Sequence, residues 1–168
     1  MKPIDHPEFF SFPAPPGLSR ESAITLTRAG EFFHEGGKVE KAALAVAMHT
    51  WLSYHPDDDR VSLENGFDWC YITVEDTAHF VKAVRGVPPE SPSVELLSGH
   101  LEALRASTLT VDDEGIVFVD VLPRGAKSPK QARFLREAQL GLAPWLADER
   151  TLRVGEQVSE ILRRLPAQ

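Results

Sequence analysis

Cysteine is almost absent from this 168-residue chain, with Cys70 the single example. An internal disulfide is therefore excluded, and stability must come from a buried core. Long apolar runs are missing as well; none approaches the roughly 18 residues needed to span a bilayer. The opening residues, Met1-Lys2-Pro3-Ile4-Asp5-His6-Pro7, contain no apolar stretch of the secretory kind. Positive charge is in short supply: 18 Lys and Arg face 25 Asp and Glu, for a net charge of −7. An acidic surface repels phosphate backbones and anionic headgroups, which argues against nucleic acid and membrane as partners. A soluble, cytoplasmic protein is expected. Phosphate-loop, dinucleotide-binding and nucleophile-elbow motifs are also absent; Leu97-Ser98-Gly99 lacks the first glycine of the last.

What is present is ordinary for a globular chain, at 42% apolar and 26% charged. The length suits one domain or two very small ones. Three segments can be drawn: an arm at 1–18, an N-terminal subdomain at 19–87 and a C-terminal subdomain at 93–168. The proline-rich stretch from Gly86 to Ser93 links the last two. The arm holds Pro3, Pro7, Pro13, Pro15 and Pro16, which disfavour regular helix. It also holds Phe9, Phe10 and Phe12, whose exposure would be costly. Two destinations are open for these rings, the protein's own body or a second subunit or partner.

The first subdomain reads as strand Ser22–Thr27, a turn at Arg28-Ala29-Gly30, and strand Glu31–Glu35. Glu40–Ser53 reads as a helix with Leu44, Ala47, Met48, Trp51 and Leu52 on one stripe. Strands Arg60–Glu64 and Trp69–Val74 follow, joined through the tight-turn pair Asn65-Gly66. Cys70, Ile72 and Val74 form the core face of the second. Trp69, Tyr71 and Thr73 form the other face, which needs a cover. Thr77–Val84 fits either a short helix or a strand. In the second subdomain the pattern predicts a helix over Val94–Ala106 and a hairpin of Thr108–Val111 with Ile116–Leu122. Ser128-Pro129-Lys130-Gln131 carries the signature of a capped helix start. That helix would run to Leu142, and another over Gly155–Leu165. The order hairpin, Gly/Lys connection, helix, Trp-Leu occurs twice, ending at Trp51-Leu52 and Trp145-Leu146. The expected fold is α+β, with two related hairpin-plus-helix units packed together.

Chemistry is harder to find. His34-Glu35 is not a zinc-protease motif, because position 38 is lysine. His49, His55, His79 and His100 lack ligand spacing, and Asp57-Asp58-Asp59 lacks the glycine and distal glutamate of a calcium loop. Cys70 reads as a small core residue. Glu75-Asp76 reads as a helix cap, since neighbours on a strand face opposite ways. No catalytic residue, metal or cofactor is predicted, and the chain is not expected to be an enzyme. One signal remains: Gly36-Gly37-Lys38 precedes a helix whose start lacks a side-chain cap. Open backbone N–H groups there could meet an anion. Arg124, Gly125, Lys127 and Lys130 repeat the theme, and Trp69 or Tyr71 could stack a base. The candidate ligand set is His34, Gly37, Lys38, Lys41, Trp69, Tyr71, Lys127 and Lys130. The candidate partner-binding set is Phe9, Phe10 and Phe12.

Residues 22–85 resemble a bacterial family, number 1285 among the domains of unknown function. The resemblance lies in Gly30-x-Phe32-Phe33-His34-Glu35-Gly36, the helix near Lys41, and Ile72-x-Val74-Glu75-Asp76-x-x-x-Phe80-Val81. The C-terminal half diverges. The resemblance implies a two-part α+β protein with repeated motifs and a second half similar to pleckstrin-homology folds. It further implies a nucleotide-like ligand between the parts, a role in signal transduction, and no established enzyme activity. The expectation is thus a ligand-binding or signalling module. The alternative is an adaptor or chaperone-like subunit that uses its aromatic arm on a protein partner, with a homodimer open in either case.

Overall fold

The computed structural model describes residues 1–166 and shows an α+β protein. It divides into two compact units. The first comprises Met1–Ala78 with Leu122–Ser128; the second comprises His79–Val121 and the chain from Pro129.

In the first unit, β1 (Glu21–Leu26) and β2 (Phe32–His34) form the expected hairpin. β3 (Gly37–Lys38) returns against β2. Helix α1 (Ala42–Thr50) follows, then β4 (Leu52–Tyr54), β5 (Val61–Glu64) and β6 (Trp69–Val74). The sheet order is β3-β2-β1-β6-β5-β4. Only the β1–β6 pair is parallel within it. The helix is shorter than the predicted 40–53, because Leu52 and Ser53 pair with Leu63 and Ser62 across the β4–β5 ladder. Ladder hydrogen bonds to a whole strand outweigh one more helical turn.

In the second unit, β7 (His79–Arg85), β8 (Ser93–Leu96) and β9 (Leu101–Ala103) make a meander. The ambiguous segment 77–84 is therefore largely strand. Gly86–Ser93 connects β7 to β8 inside this unit. β10 (Thr110–Val111), β11 (Val117–Val121) and β12 (Lys130–Phe134) come next. A short α2 (Arg136–Gln139) runs into a 3-10 segment, Leu140–Trp145. β13 (Leu146–Asp148), β14 (Thr151–Val154), β15 (Gln157–Glu160) and β16 (Leu162–Arg163) complete the described chain. A seven-stranded sheet is ordered β16-β10-β11-β12-β7-β8-β9, beside a three-stranded sheet β13-β14-β15. Val81, Leu96, Leu109, Val119, Phe134 and Leu152, each at most 1% exposed, lie in its core.

Two predicted helices, 94–106 and 155–165, are largely strands and turns here, and the third, 128–142, is strand over Lys130–Phe134 with helix only from Arg136. Over 94–106, Val94, Leu97, Leu101 and Leu104 mimic helical spacing. The operative period is two: Val94 and Leu96 are both fully buried, while Leu101 is 57% exposed beyond the turn. Over 128–142, the Ser128 hydroxyl donates to Asp59 at 3.2 Å instead of capping a helix. Lys130–Phe134 is claimed on both sides by β11 and β7. Over 155–165, Gly155 at φ +60° makes the turn between β14 and β15.

Even so, the order of connections recurs. β1, β2 and β3 are followed by a helix and an antiparallel meander, whose last strand lies parallel to β1. β10, β11 and β12 are followed by a helix and a second antiparallel meander, and β16 lies parallel to β10. Trp51 and Trp145 both stand where the helical segment gives way to a strand.

Candidate functional site

The first unit's sheet has two differently covered faces. Cross-strand register puts Leu63 opposite Cys70, Ser62 opposite Tyr71 and Glu64 opposite Trp69. Alternation therefore sends Leu63 and Cys70 to one face, and Ser62, Glu64, Trp69 and Tyr71 to the other.

On the first face, Met48 and Trp51 at the C-terminal end of α1 join Ile24, Leu63 and Cys70 around a recess of about 220 Å³. Asn65 and Asp68 supply its polar lining. Met48 and Leu63 are buried, and Cys70 is half-buried. Burial pushes the Cys70 thiol up from its ordinary range, partly opposed by a hydrogen bond with Ser22. A thiol held protonated is a poor nucleophile.

The second face is sealed by the N-terminal arm. Phe9 is 3% exposed. The Phe10 ring lies 5.4 Å from His55 and 5.5 Å from Trp69. His55 in turn meets Trp69 at 5.0 Å and Tyr71 at 5.6 Å. Phe12 meets His6 at a tilt and Phe9 edge-on. Arg20 straps the arm down, donating to the carbonyls of Phe12 and Pro13 while lying 4.5 Å from the Trp69 ring centroid. Arg60 lies 3.8 Å from the Tyr71 ring centroid and forks onto Glu21. The Tyr71 hydroxyl donates to Asp58 at 2.9 Å. Burial and that carboxylate push the phenol up to about 12. Glu64, 3% exposed, accepts from the Gly66 N–H at 3.0 Å and pairs with Arg124. Beside them, a Cβ on Gly125 would stand 2.8 Å from the Ser53 hydroxyl, at a φ of +79°. Only glycine fits that approach without strain.

The proposed ligand set is dispersed. Trp69 and Tyr71 are together, 5.1 Å between ring centroids, with the arm over them, and Trp69 also borders the recess. Phe9 and Phe10 pack on the chain's own body, while Phe12 meets only His6 and Phe9 of the arm among the ring contacts and stays 36% exposed. His34 is exposed on β2, opposite Gly37. Lys38 pairs with Glu31 at 3.1 Å. Lys41 is the N-cap of α1, and no side chain caps that start, as expected. The Lys127 backbone N–H donates to Asp59 at 3.0 Å. Lys130 opens β12, so the second helix start on which a two-helix anion cleft depended is a strand. Trp69, in the predicted set, also lines the recess, whereas Ile24, Met48, Trp51 and Leu63 were outside that set. The α1 stripe and strand alternation mark them as apolar, and that pattern does not separate a filled core from a hollow one.

The second unit has its own recess, of about 440 Å³, lined by Asp112, Asp113, Glu149, Leu142 and Ile161 among others. Asp113 is paired there with Arg163 at 2.8 Å. Among the described residues no three His, Cys, Asp or Glu side chains gather as a metal site. Among them, too, no helix is long and apolar enough to cross a membrane.

No family model matches the chain, and no curated protein matches it. Its fold is shared with solved structures. One is a DUF1285 family protein from Silicibacter pomeroyi DSS-3, at a TM-score of 0.59 and 14% identity, over 85% of this chain and 81% of that one. Another is a DUF1285 family protein from Shewanella baltica OS155, at a TM-score of 0.53 and 19% identity, over 74% of this chain and 93% of that one. The fold implied by the Gly30–Gly36 and Ile72–Val81 resemblance is thus the fold that these neighbours have.

Proposed function

We propose that this chain is a non-enzymatic ligand-binding module with a signalling role, and that its ligand is a small molecule held in the first unit's recess. The observation that carries this reading is the recess itself: about 220 Å³ with Ile24, Met48, Trp51, Leu63 and Cys70 in its walls. An apolar cavity of roughly 150 Å³ is enough to take up benzene. Removing apolar ligand surface from water supplies the affinity. A nucleotide-like anion is the weaker candidate. Arg20, Lys38 and Arg60 are each paired with a carboxylate. Binding without chemistry accords with a thiol held in its protonated form.

A ligand that binds only the folded state raises the melting temperature by mass action. In a thermal-shift panel of small apolar molecules and nucleotides at millimolar concentration, apolar members should raise the melting temperature and nucleotides should not. A shift from nucleotides alone would remove the recess as the site.

A second reading, a protein-interaction subunit, is favoured by one observation. The N-terminal half of α1 is apolar yet exposed, with Leu44 at 39% and Val46 at 62%. Val46→Glu should then abolish a partner interaction or self-association while leaving the melting temperature unchanged. Unaltered association would dismiss it.

A further inference from the structure

We infer that the recess receives one small aromatic group, a single ring or a fused pair, bearing a hydrogen-bond donor, neutral or cationic, and discriminates against anions. This rests on the recess being the ligand site. Three wall groups favour an aromatic guest over an aliphatic one. Met48 and Cys70 present polarizable sulfur, which contacts aromatic rings favourably. The Trp51 indole adds an aromatic surface of its own. The size, about 220 Å³, suits one ring with a few substituent atoms or a small fused bicycle.

The polar lining sets the sign. It includes Asn65 and Asp68, with the Trp69 indole beside them and no Lys or Arg. The Asn65 side-chain carbonyl already accepts the N–H groups of Phe67 and Asp68, both at 2.9 Å. Asp68 gives one oxygen, Oδ1, to Arg20 at 2.5 Å. The Asp68 side chain is half exposed, and its carboxylate keeps acceptor capacity for a ligand N–H or O–H. Arg20 is held by Asp68 and by the carbonyls of Trp69, Phe12 and Pro13, so a carboxylate or phosphate on the guest would find no uncommitted cation at the lining. The chain's net charge of −7 adds to the penalty.

The single cysteine makes the test direct, because every thiol signal reports on the recess wall. The intact protein is treated with a thiol-alkylating reagent under native conditions, with indole, 1-methylindole or benzoate. Indole should slow Cys70 modification about threefold at twice its dissociation constant. Benzoate at the same concentration should leave the rate unchanged, and 1-methylindole, lacking the donor, should protect less than indole. Ile24→Phe, which fills the recess, should lose the protection by indole; Met48→Phe serves if that variant does not fold. Equal protection by benzoate or 1-methylindole would overturn the donor and charge preference while leaving the recess as a site. Undiminished protection in a folded filling variant would place the guest elsewhere. Failure of all three probes to protect would bring down the recess reading itself.

Discussion

One sheet in the first unit is covered in two ways. Over Trp69 and Tyr71, the arm lays down Phe9 and Phe10, and Arg20 and Arg60 stack on the rings. Large flat side chains fill that space, and the charged groups among them are paired. Over Leu63 and Cys70, the cover comes from α1, whose sequence Ala-Ala-Leu-Ala-Val-Ala-Met-His-Thr is rich in small residues. Only its last turn and Trp51 reach the recess walls. An aromatic cover closes a face, whereas a short alanine-rich helix leaves room beneath it. The arm face is thus structural and the helix face is the one with space for a guest.

Substitutions on the two faces should separate these roles, and the largest effect belongs to the sealed one. Phe9→Ala should lower unfolding free energy by about 3 kcal/mol, the usual cost of truncating a buried phenylalanine. Denaturant titration measures it, and a loss under half that size would mean the arm is only loosely seated. Arg124→Ala comes next, at about 2 kcal/mol, because it strands the buried Glu64 carboxylate with only the Gly66 N–H. The double variant with Glu64→Leu should recover most of that loss. Failure to recover would show that Arg124 acts through packing rather than charge. Gly125→Ala should cost roughly 1–2 kcal/mol from left-handed backbone and crowding against Ser53. Equal stability of the variant would show that this loop relaxes.

The smallest effect is a pH slope on the helix side. His49 on α1 is buried, its ring nitrogen bonded to the Gly30 carbonyl at 3.0 Å. Desolvation holds its imidazolium below the ordinary range, with the Gly30 bond opposing. The unfolded chain therefore takes up a proton first as pH falls. Its contribution is intact above pH about 6.5, the unfolded value, and declines below it. Melting temperature should drop between pH 7.5 and 5.5, and His49→Gln should flatten the slope. An equally steep slope in the variant would assign it to other groups.

The same contrast explains what could be read from the residues beforehand. In the first unit local and tertiary signals agree: the Trp69–Val74 alternation, the Asn65-Gly66 turn and the Met48/Trp51 stripe all point where the chain goes. In the second unit they compete. Val94, Leu97, Leu101 and Leu104 satisfy a helical period, yet the β7–β8–β9 ladder takes them. Ser128-Pro129 has good helix-start chemistry, yet Lys130–Phe134 gains a partner strand on each side. Such pairing is non-local, so no short window reveals it. The site followed suit. Trp69 and Tyr71 stood out because aromatics on a strand demand a cover, and the chain itself provides one. A hollow among ordinary apolar residues gives no composition signal and becomes visible only in three dimensions.

The most direct measurement is an amide chemical-shift map of the intact protein titrated with indole. Saturable shifts should cluster at Ile24, Met48, Trp51, Leu63 and Cys70 and leave Phe10 and His55 in place. Shifts centred on Phe10, His55 and Tyr71, or none that saturate, would contradict the assignment of the helix face as the binding face.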